Sequence, residues 1–269
     1  MVRNRRLQRQ QTKKRWGAFI LLLVFCIVVG GIFGYWWLQQ HTIPLNADTL
    51  CPIDGPHALT VILVDRTDRF NTVQREAVRV RLDEVQAQTR IYSGIALFSI
   101  GPTENELLRP EAYLCNPGPV SEASPLYQNI RRIEQRWHAF IQRLGQAFET
   151  AVQSGEQPAS PIMESIQSAA LSTFARTAPD TPKRLIIISD LLQHSSTLSL
   201  YQQLPLFADF KTTNKFRQLH APLIGVEVEV FYLRRPTDRA IQGKALIEFW
   251  QQYIRENGGL LVRVVSIEG

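Results

Sequence analysis

Residues 58–69 read Ala-Leu-Thr-Val-Ile-Leu-Val-Asp-Arg-Thr-Asp-Arg. The first seven are a nearly continuous apolar run, the pattern of a strand that a parallel sheet buries on both faces. The last five are polar and mark where the chain leaves the sheet. Open α/β sheets bind ligands just beyond the carboxyl ends of their strands. Asp65, Thr67 and Asp68 therefore stand where such a site is built.

Outward from this stretch, strands and helices alternate. Phe70 to Gln88 has helical periodicity through Phe70, Val73, Ala77, Val80 and Val85. Ile91 to Ile100 is a second strand, and 101–125 is a Pro-containing loop holding Cys115. Tyr127 to Ser154 is a long helix whose apolar face includes Ile130, Trp137, Phe140, Leu144 and Phe148. Ser160-Pro161 opens another helix, a capping residue followed by Pro. Arg184 to Ser189 is a third buried strand, ending at Asp190. Residues 191–222 are polar with uncertain helix. Val226 to Leu233 alternates apolar and acidic residues, with Glu227 and Glu229 expected on a solvent face. Arg239 to Glu256 is helical, Gly258-Gly259 stops it, and Leu260 to Val265 is a last strand. The alternation predicts an α/β fold: a doubly wound, mostly parallel sheet in three layers, one domain over 58–269.

The strand ends gather chemistry. Asp65 and Thr67 follow the first strand, Ser160 opens a helix, and Asp190 follows the third strand. Two carboxylates and two hydroxyls arriving at one edge suit a hard divalent cation such as Mg²⁺. The bland alternative gives Asp65 and Thr67 to the cap of the helix at Phe70, and Ser160 to a second cap.

This pattern resembles the von Willebrand factor type A (vWA) family. Its members carry Asp-x-Ser-x-Ser after the first strand, a Thr in a later loop and an Asp after the central strand, forming a metal-ion-dependent adhesion site. Asp65 matches the first Asp, Thr67 the first hydroxyl, Ser160 the loop Thr and Asp190 the later Asp. The resemblance, over 58–265, implies a Rossmann-like vWA sheet and a Mg²⁺-dependent, non-enzymatic module for protein–protein interaction. A partner's acidic side chain would complete the metal's coordination. The third motif position is Arg69, which has no lone pair to ligate a cation. Asp68 beside it is the substitute ligand, directly or through water. Alternatively the Arg69 guanidinium reaches over the site and replaces the ion.

Two further readings compete. Asp65-Arg66-Thr67 also looks like the nucleophile loop of haloacid-dehalogenase-like phosphatases, with Asp65 attacking phosphorus and Asp190 holding Mg²⁺. Against this, no second acid stands four residues beyond Asp190, and Lys183 precedes its strand, at the wrong end. The other reading is a structural envelope subunit with an inactive metal site. Gly-x-Ser-x-Gly, Gly-rich phosphate loops and zinc-type Cys/His spacing are all missing from the sequence.

The N-terminal region decides location. Residues 1–16 are basic and 17–37 read GAFILLLVFCIVVGGIFGYWW, with no charge and no amide. A bilayer core needs about 20 such residues in a helix. Trp16, Tyr35, Trp36 and Trp37 mark the ends, where amphipathic rings favour the headgroup region. Bulky YWW instead of small residues argues against signal-peptide cleavage. Positive flanks stay in the cytoplasm. Arg3, Arg5, Arg6, Arg9, Lys13, Lys14 and Arg15 therefore place residues 38–57, a tether, and 58–269 outside, in the envelope of a bacterium on the outer face of the inner (plasma) membrane.

The chain holds 30 Lys and Arg against 24 Asp and Glu, a net charge of +6. Without those seven bases, 23 remain against 24 acids, so the outer domain is about neutral and carries no nucleic-acid signature. Cys26 lies in the span. Cys51 and Cys115 lie in Pro-containing loops of a domain expected in an oxidising compartment, and pair as one disulfide unless they are two separate buried thiols.

Overall fold

The computed structural model describes residues 2–39, 43–101, 107–122, 129–153, 155 and 157–269. The chain divides into two compact units, Met1–Pro44 and Leu45–Gly269. The first contains helix α1 (Val2–Gln39). Within it Phe19–Trp37, 19 residues, is long and apolar enough to cross a membrane.

In the second unit, β1 (Leu59–Asp65) is flanked on both sides by parallel partners, β2 (Gly94–Ile100) and β4 (Lys183–Ser189). Its apolar run is explained by this position: Val61 to Val64 are fully buried. Two further parallel strands, β5 (Val226–Leu233) and β6 (Leu260–Ile267), continue the sheet beyond β4. A short antiparallel strand, β3 (Ala112–Cys115), closes the other edge. The order is β3-β2-β1-β4-β5-β6. This is the expected α/β sheet, mixed only at β3.

Helices cover both faces. Helices α2 (Thr72–Gln88) and α3 (Ile130–Ala151) bury Val78, Leu82, Phe140, Leu144 and Phe148 against Ile62, Val64, Ile186 and Ile188. On the other face, α4 (Ile162–Ser172), the short α5 (Phe207–Lys211) and α6 (Asn214–Gln218), and α7 (Lys244–Glu256) pack on Leu63, Phe98, Ile187 and Val230. Alternating residues of one strand thus feed two separate cores, as the pleat requires.

Several boundaries differ from the sequence reading. α2 starts at Thr72, two residues late, because Asn71 caps it: the Asn71 side chain accepts from the Gln74 N–H and the Gln74 side chain accepts from the Asn71 N–H. β3 was expected as loop. Four residues between Pro110 and Pro117 give too little pattern to register as a strand. α7 starts at Lys244, not Arg239, because Gly243 stands at its N-cap after a 3₁₀ turn at Pro236–Asp238. The expected α3 limits Tyr127 and Ser154 lie outside the described residues, as do 40–42 and 102–106.

β5 is not half exposed. It lies between β4 and β6, and Glu229 is buried. Arg184 on β4 and Arg263 on β6 each reach its Oε2 at 2.8 Å. Burial alone raises a carboxyl's pKa, but these two guanidiniums outweigh it and hold Glu229 below the usual range. The acidic alternation therefore marks an ion triad across three strands, with only Glu227 facing out.

Cys51 and Cys115 form a disulfide, with Cα atoms 4.7 Å apart. It ties the segment before β1 to the edge strand β3. Leu50 and Cys51 are buried there, and the Cys115 N–H donates to Thr49 O at 2.9 Å.

Candidate metal centre

The strand order reverses between β1 and β4: the chain passes from β1 to β2 on one side and from β4 to β5 on the other. Loops leaving these neighbours diverge and open a crevice at their carboxyl ends. Asp65 is the last residue of β1 and Asp190 directly follows β4. Both are buried.

Asp65 is saturated with donors. Its Oδ1 accepts from the Thr67 N–H at 3.0 Å and from Thr67 Oγ1 at 2.6 Å. Its Oδ2 accepts from Ser160 Oγ at 3.1 Å and Ser189 Oγ at 2.8 Å. Each oxygen accepts two hydrogen bonds, so the buried carboxylate is fully paired. The arrangement also orients the hydroxyls. The protons of Thr67 and Ser160 point at Asp65, so their oxygen lone pairs are left for another ligand.

Neither Thr67 nor Asp65 caps α2, because Asn71 does. Nor does Ser160 cap α4: the N-cap position is Pro161, with no side-chain bond. Ser160 is held instead by two backbone bonds with His194, N–H to O at 2.7 and 2.8 Å. The Gln193 side chain fixes the start of α4 by accepting from the Met163 N–H at 2.8 Å. The loop after β4 thus positions the Ser160 loop over the end of β1.

The turn at Asp190 is tight. Leu191 adopts φ 61°, a left-handed conformation uncommon for a branched residue. That turn lets the Leu192 N–H donate to Asp190 Oδ1 at 2.9 Å. Trp250 Nε1 locks it by donating to Leu191 O at 2.9 Å. Burial foremost, and then the charge of Asp65, push the Asp190 carboxyl up to about 8, against the Leu192 N–H and Arg235, which lower it.

Arg235, two residues beyond β5, supplies the positive charge. Its Nε lies 3.3 Å from Asp190 Oδ2, its Nη1 donates to Arg69 O at 2.6 Å, and its Nη2 lies 3.9 Å from Asp68. A guanidinium thus stands on Asp190, that of Arg235. Gln242 braces this corner. Its Nε2 donates to Leu233 O at 2.8 Å and to Asp190 O at 3.2 Å.

All four expected residues, Asp65, Thr67, Ser160 and Asp190, thus meet at one edge, with Asp68 at its rim. Sequence reasoning missed Ser189, Gln193, Arg235 and Gln242. One signal was available for Arg235: Arg234-Arg235-Pro236 follows a third parallel strand that ends at the same edge.

The mostly parallel six-stranded sheet, its order, and the Asp-x-Thr loop facing a later Asp across the β1/β4 crevice decide the fold. The fold is vWA-like. No family model matches the chain, and no curated protein does. Among solved structures, the vWA-like chain is similar to the SpRpn10 VWA domain, at 12% identity and TM-score 0.41, covering 78% of this chain and 88% of that one. It is also similar to BatB from Bacteroides thetaiotaomicron, at 13% identity and TM-score 0.40, covering 79% and 91%. An aerotolerance-related membrane protein from Bacteroides fragilis stands at 11% and 0.38, covering 78% and 91%. Likeness this distant says nothing about ligands or activity.

The donor set at this edge is oxygen throughout. Among the described residues no group of three or more His, Cys, Asp or Glu side chains gathers at one point. The set is two hydroxyls and one carboxylate oriented around a second carboxylate. This composition fits Mg²⁺, which keeps several waters and needs few protein ligands. Thr67 Oγ1, Ser160 Oγ and Asp190 would hold the ion, and Asp65 would orient the two hydroxyls.

Proposed function

We propose that this chain is a membrane-anchored, extracytoplasmic interaction module that engages a protein partner through a Mg²⁺-dependent site at the carboxyl edge of its sheet. The observation that carries the reading is the pair of hydroxyls whose protons are directed onto Asp65, leaving their lone pairs for a cation, with Asp190 near enough to Asp65 to feel its charge. An ion held by these groups keeps open positions, and an acidic side chain of the partner completes its shell. The span at Phe19–Trp37 supports anchoring, and the bases before it support a cytoplasmic N-terminus on the inner membrane. The domain then acts as a scaffold or adhesion component of the envelope.

The phosphatase alternative gains nothing from the site. Both oxygens of Asp65 accept two hydrogen bonds each, so its lone pairs are engaged and not available for attack on phosphorus.

The test is a titration of the full chain in detergent micelles with Mg²⁺, followed by thermal melting. Binding to the native state alone raises the melting temperature, by an amount equivalent to about 2.7 kcal/mol at 100 times Kd. Asp190→Ala should abolish the increment. Tyr201 is exposed and lies within reach of the Asp190 and Asp68 charges; in native membranes, a photo-crosslinker placed there should capture a protein partner when Mg²⁺ is present and lose it in EDTA and in Asp190→Ala. An unchanged melting temperature together with an EDTA-insensitive adduct would reject the metal-dependent module.

A further inference from the structure

Arg235 is anchored at its base and divided at its tip. Its N–H donates to Gln242 Oε1 at 2.6 Å, which fixes the backbone beside Asp190. The guanidinium then serves three acceptors unequally. The short bond, 2.6 Å, goes to the neutral carbonyl of Arg69. The contacts to carboxylates, 3.3 Å to Asp190 and 3.9 Å to Asp68, exceed the usual 2.7–2.9 Å of a charge-assisted bond. Asp190 is 2% exposed and Asp68 is 42% exposed, so one guanidinium stands between an inner and an outer carboxylate.

The oxygens of Asp190 are not equivalent. Oδ1 accepts the Leu192 N–H, and Oδ2 is the one Arg235 contacts. Arg235 thus stands on the Asp190 oxygen that carries no backbone hydrogen bond, the more open of the two to a cation. A guanidinium and a divalent ion on one carboxylate oxygen repel each other strongly in a buried site. Each therefore weakens the other's hold on Asp190.

We propose that Arg235 is a tethered counter-cation that competes with a divalent ion for Asp190, resting on Asp190 in the ion-free site and moving out to Asp68 when an ion enters. The proposal rests on the cation-binding reading of the site. Without an ion, Arg235 lies against Asp190, the inner of the two acids it reaches. With one, its charge appears on the rim beside Asp68, where a partner docks. Ion occupancy and the charge of the docking face are then coupled through one side chain.

The test uses the full chain in detergent micelles, with Mn²⁺ and Mg²⁺ binding measured by calorimetry and thermal melting at pH 8. Arg235→Gln should bind Mn²⁺ about tenfold tighter than wild type or better, and should melt lower than wild type when no ion is present. Arg235→Lys, which keeps the charge but loses the fork, should be intermediate, and carries the test if Arg235→Gln does not fold. Asp68→Asn should weaken binding in the wild-type background and have no effect on top of Arg235→Gln; a direct ligand would weaken both. Binding by Arg235→Gln and not by wild type would make Arg235 a permanent replacement for the ion and overturn the exchange. Equal affinities for wild type and the Arg235 variants overturn it while leaving the cation site standing. Failure of every variant to bind removes the cation site, and the proposal with it.

Discussion

Asp190 is a carboxyl buried beside a second buried carboxyl, which gives the protein a definite pH response. Burial and Asp65 raise it from the unfolded value of 3.8 to about 8. Between those two values the native state holds a proton that the unfolded chain has released. Stability should therefore fall as pH rises from about 4 to about 8 and level off above, by at most about 1.4 kcal/mol per pH unit for one group. Asp190→Asn, neutral at every pH, should flatten this stretch of a plot of ion-free melting temperature against pH. A wild-type plot that climbs steadily from pH 5 to 8 would contradict the assignment. A cation must displace the same proton, so Mg²⁺ affinity should increase towards pH 8. Asp65, Thr67, Ser160 and Asp190 were legible because each follows a strand or opens a loop at one edge, and topology alone brings those points together. Ser189, Arg235 and Gln242 were not, because their part depends on side-chain direction in turns, which spacing does not encode. Leu191 is the clearest case: no sequence pattern announces a left-handed leucine.

Helix ends and strand edges divide in the same way. The apolar runs of β1 and β4 were plain in the sequence because both strands are flanked on each side and covered on each face. β5 misled because alternation looks the same whether the charged residue meets water or two arginines. Glu229→Ala should leave Arg184 and Arg263 without their shared acceptor, and a loss of about 3 kcal/mol is expected in denaturant unfolding, where Glu227→Ala costs under about 0.5. The cap of α2 falls to Asn71 and not to Asp65 and Thr67, the alternative the sequence left open, since Thr67 and Asn71 are both good cap formers in one short stretch. Asn71→Ala should therefore cost about 1 kcal/mol without changing ion binding, whereas Thr67→Ala should weaken Mg²⁺ binding. Equal effects of the two substitutions on ion affinity would contradict this division. β3 escaped notice because four residues flanked by prolines carry no period, yet it brings Cys115 to Cys51.

The whole chain joins an apolar N-terminal helix to one vWA-like unit beginning at Leu45. A C-terminal reporter that works only outside the cytoplasm should be active, and activity of a cytoplasm-only reporter would reverse the orientation. The disulfide has a further consequence if the chain is pulled between its two ends. Cys51 and Cys115 are 64 positions apart, and the bond short-circuits everything between them. Tension entering at the N-terminus passes straight from Cys51 to Cys115. The bypassed segment contains β1, α2 and β2, and with them Asp65 and Thr67. However hard the chain is pulled, that segment can contribute no slack while the bond is intact. At 3.3–3.6 Å per residue, reduction would release roughly 220 Å of hidden length. Force–extension curves of the oxidised and reduced protein should differ by about that much, and the half of the ion site on residues 65–67 should stay out of the line of pull only in the oxidised form.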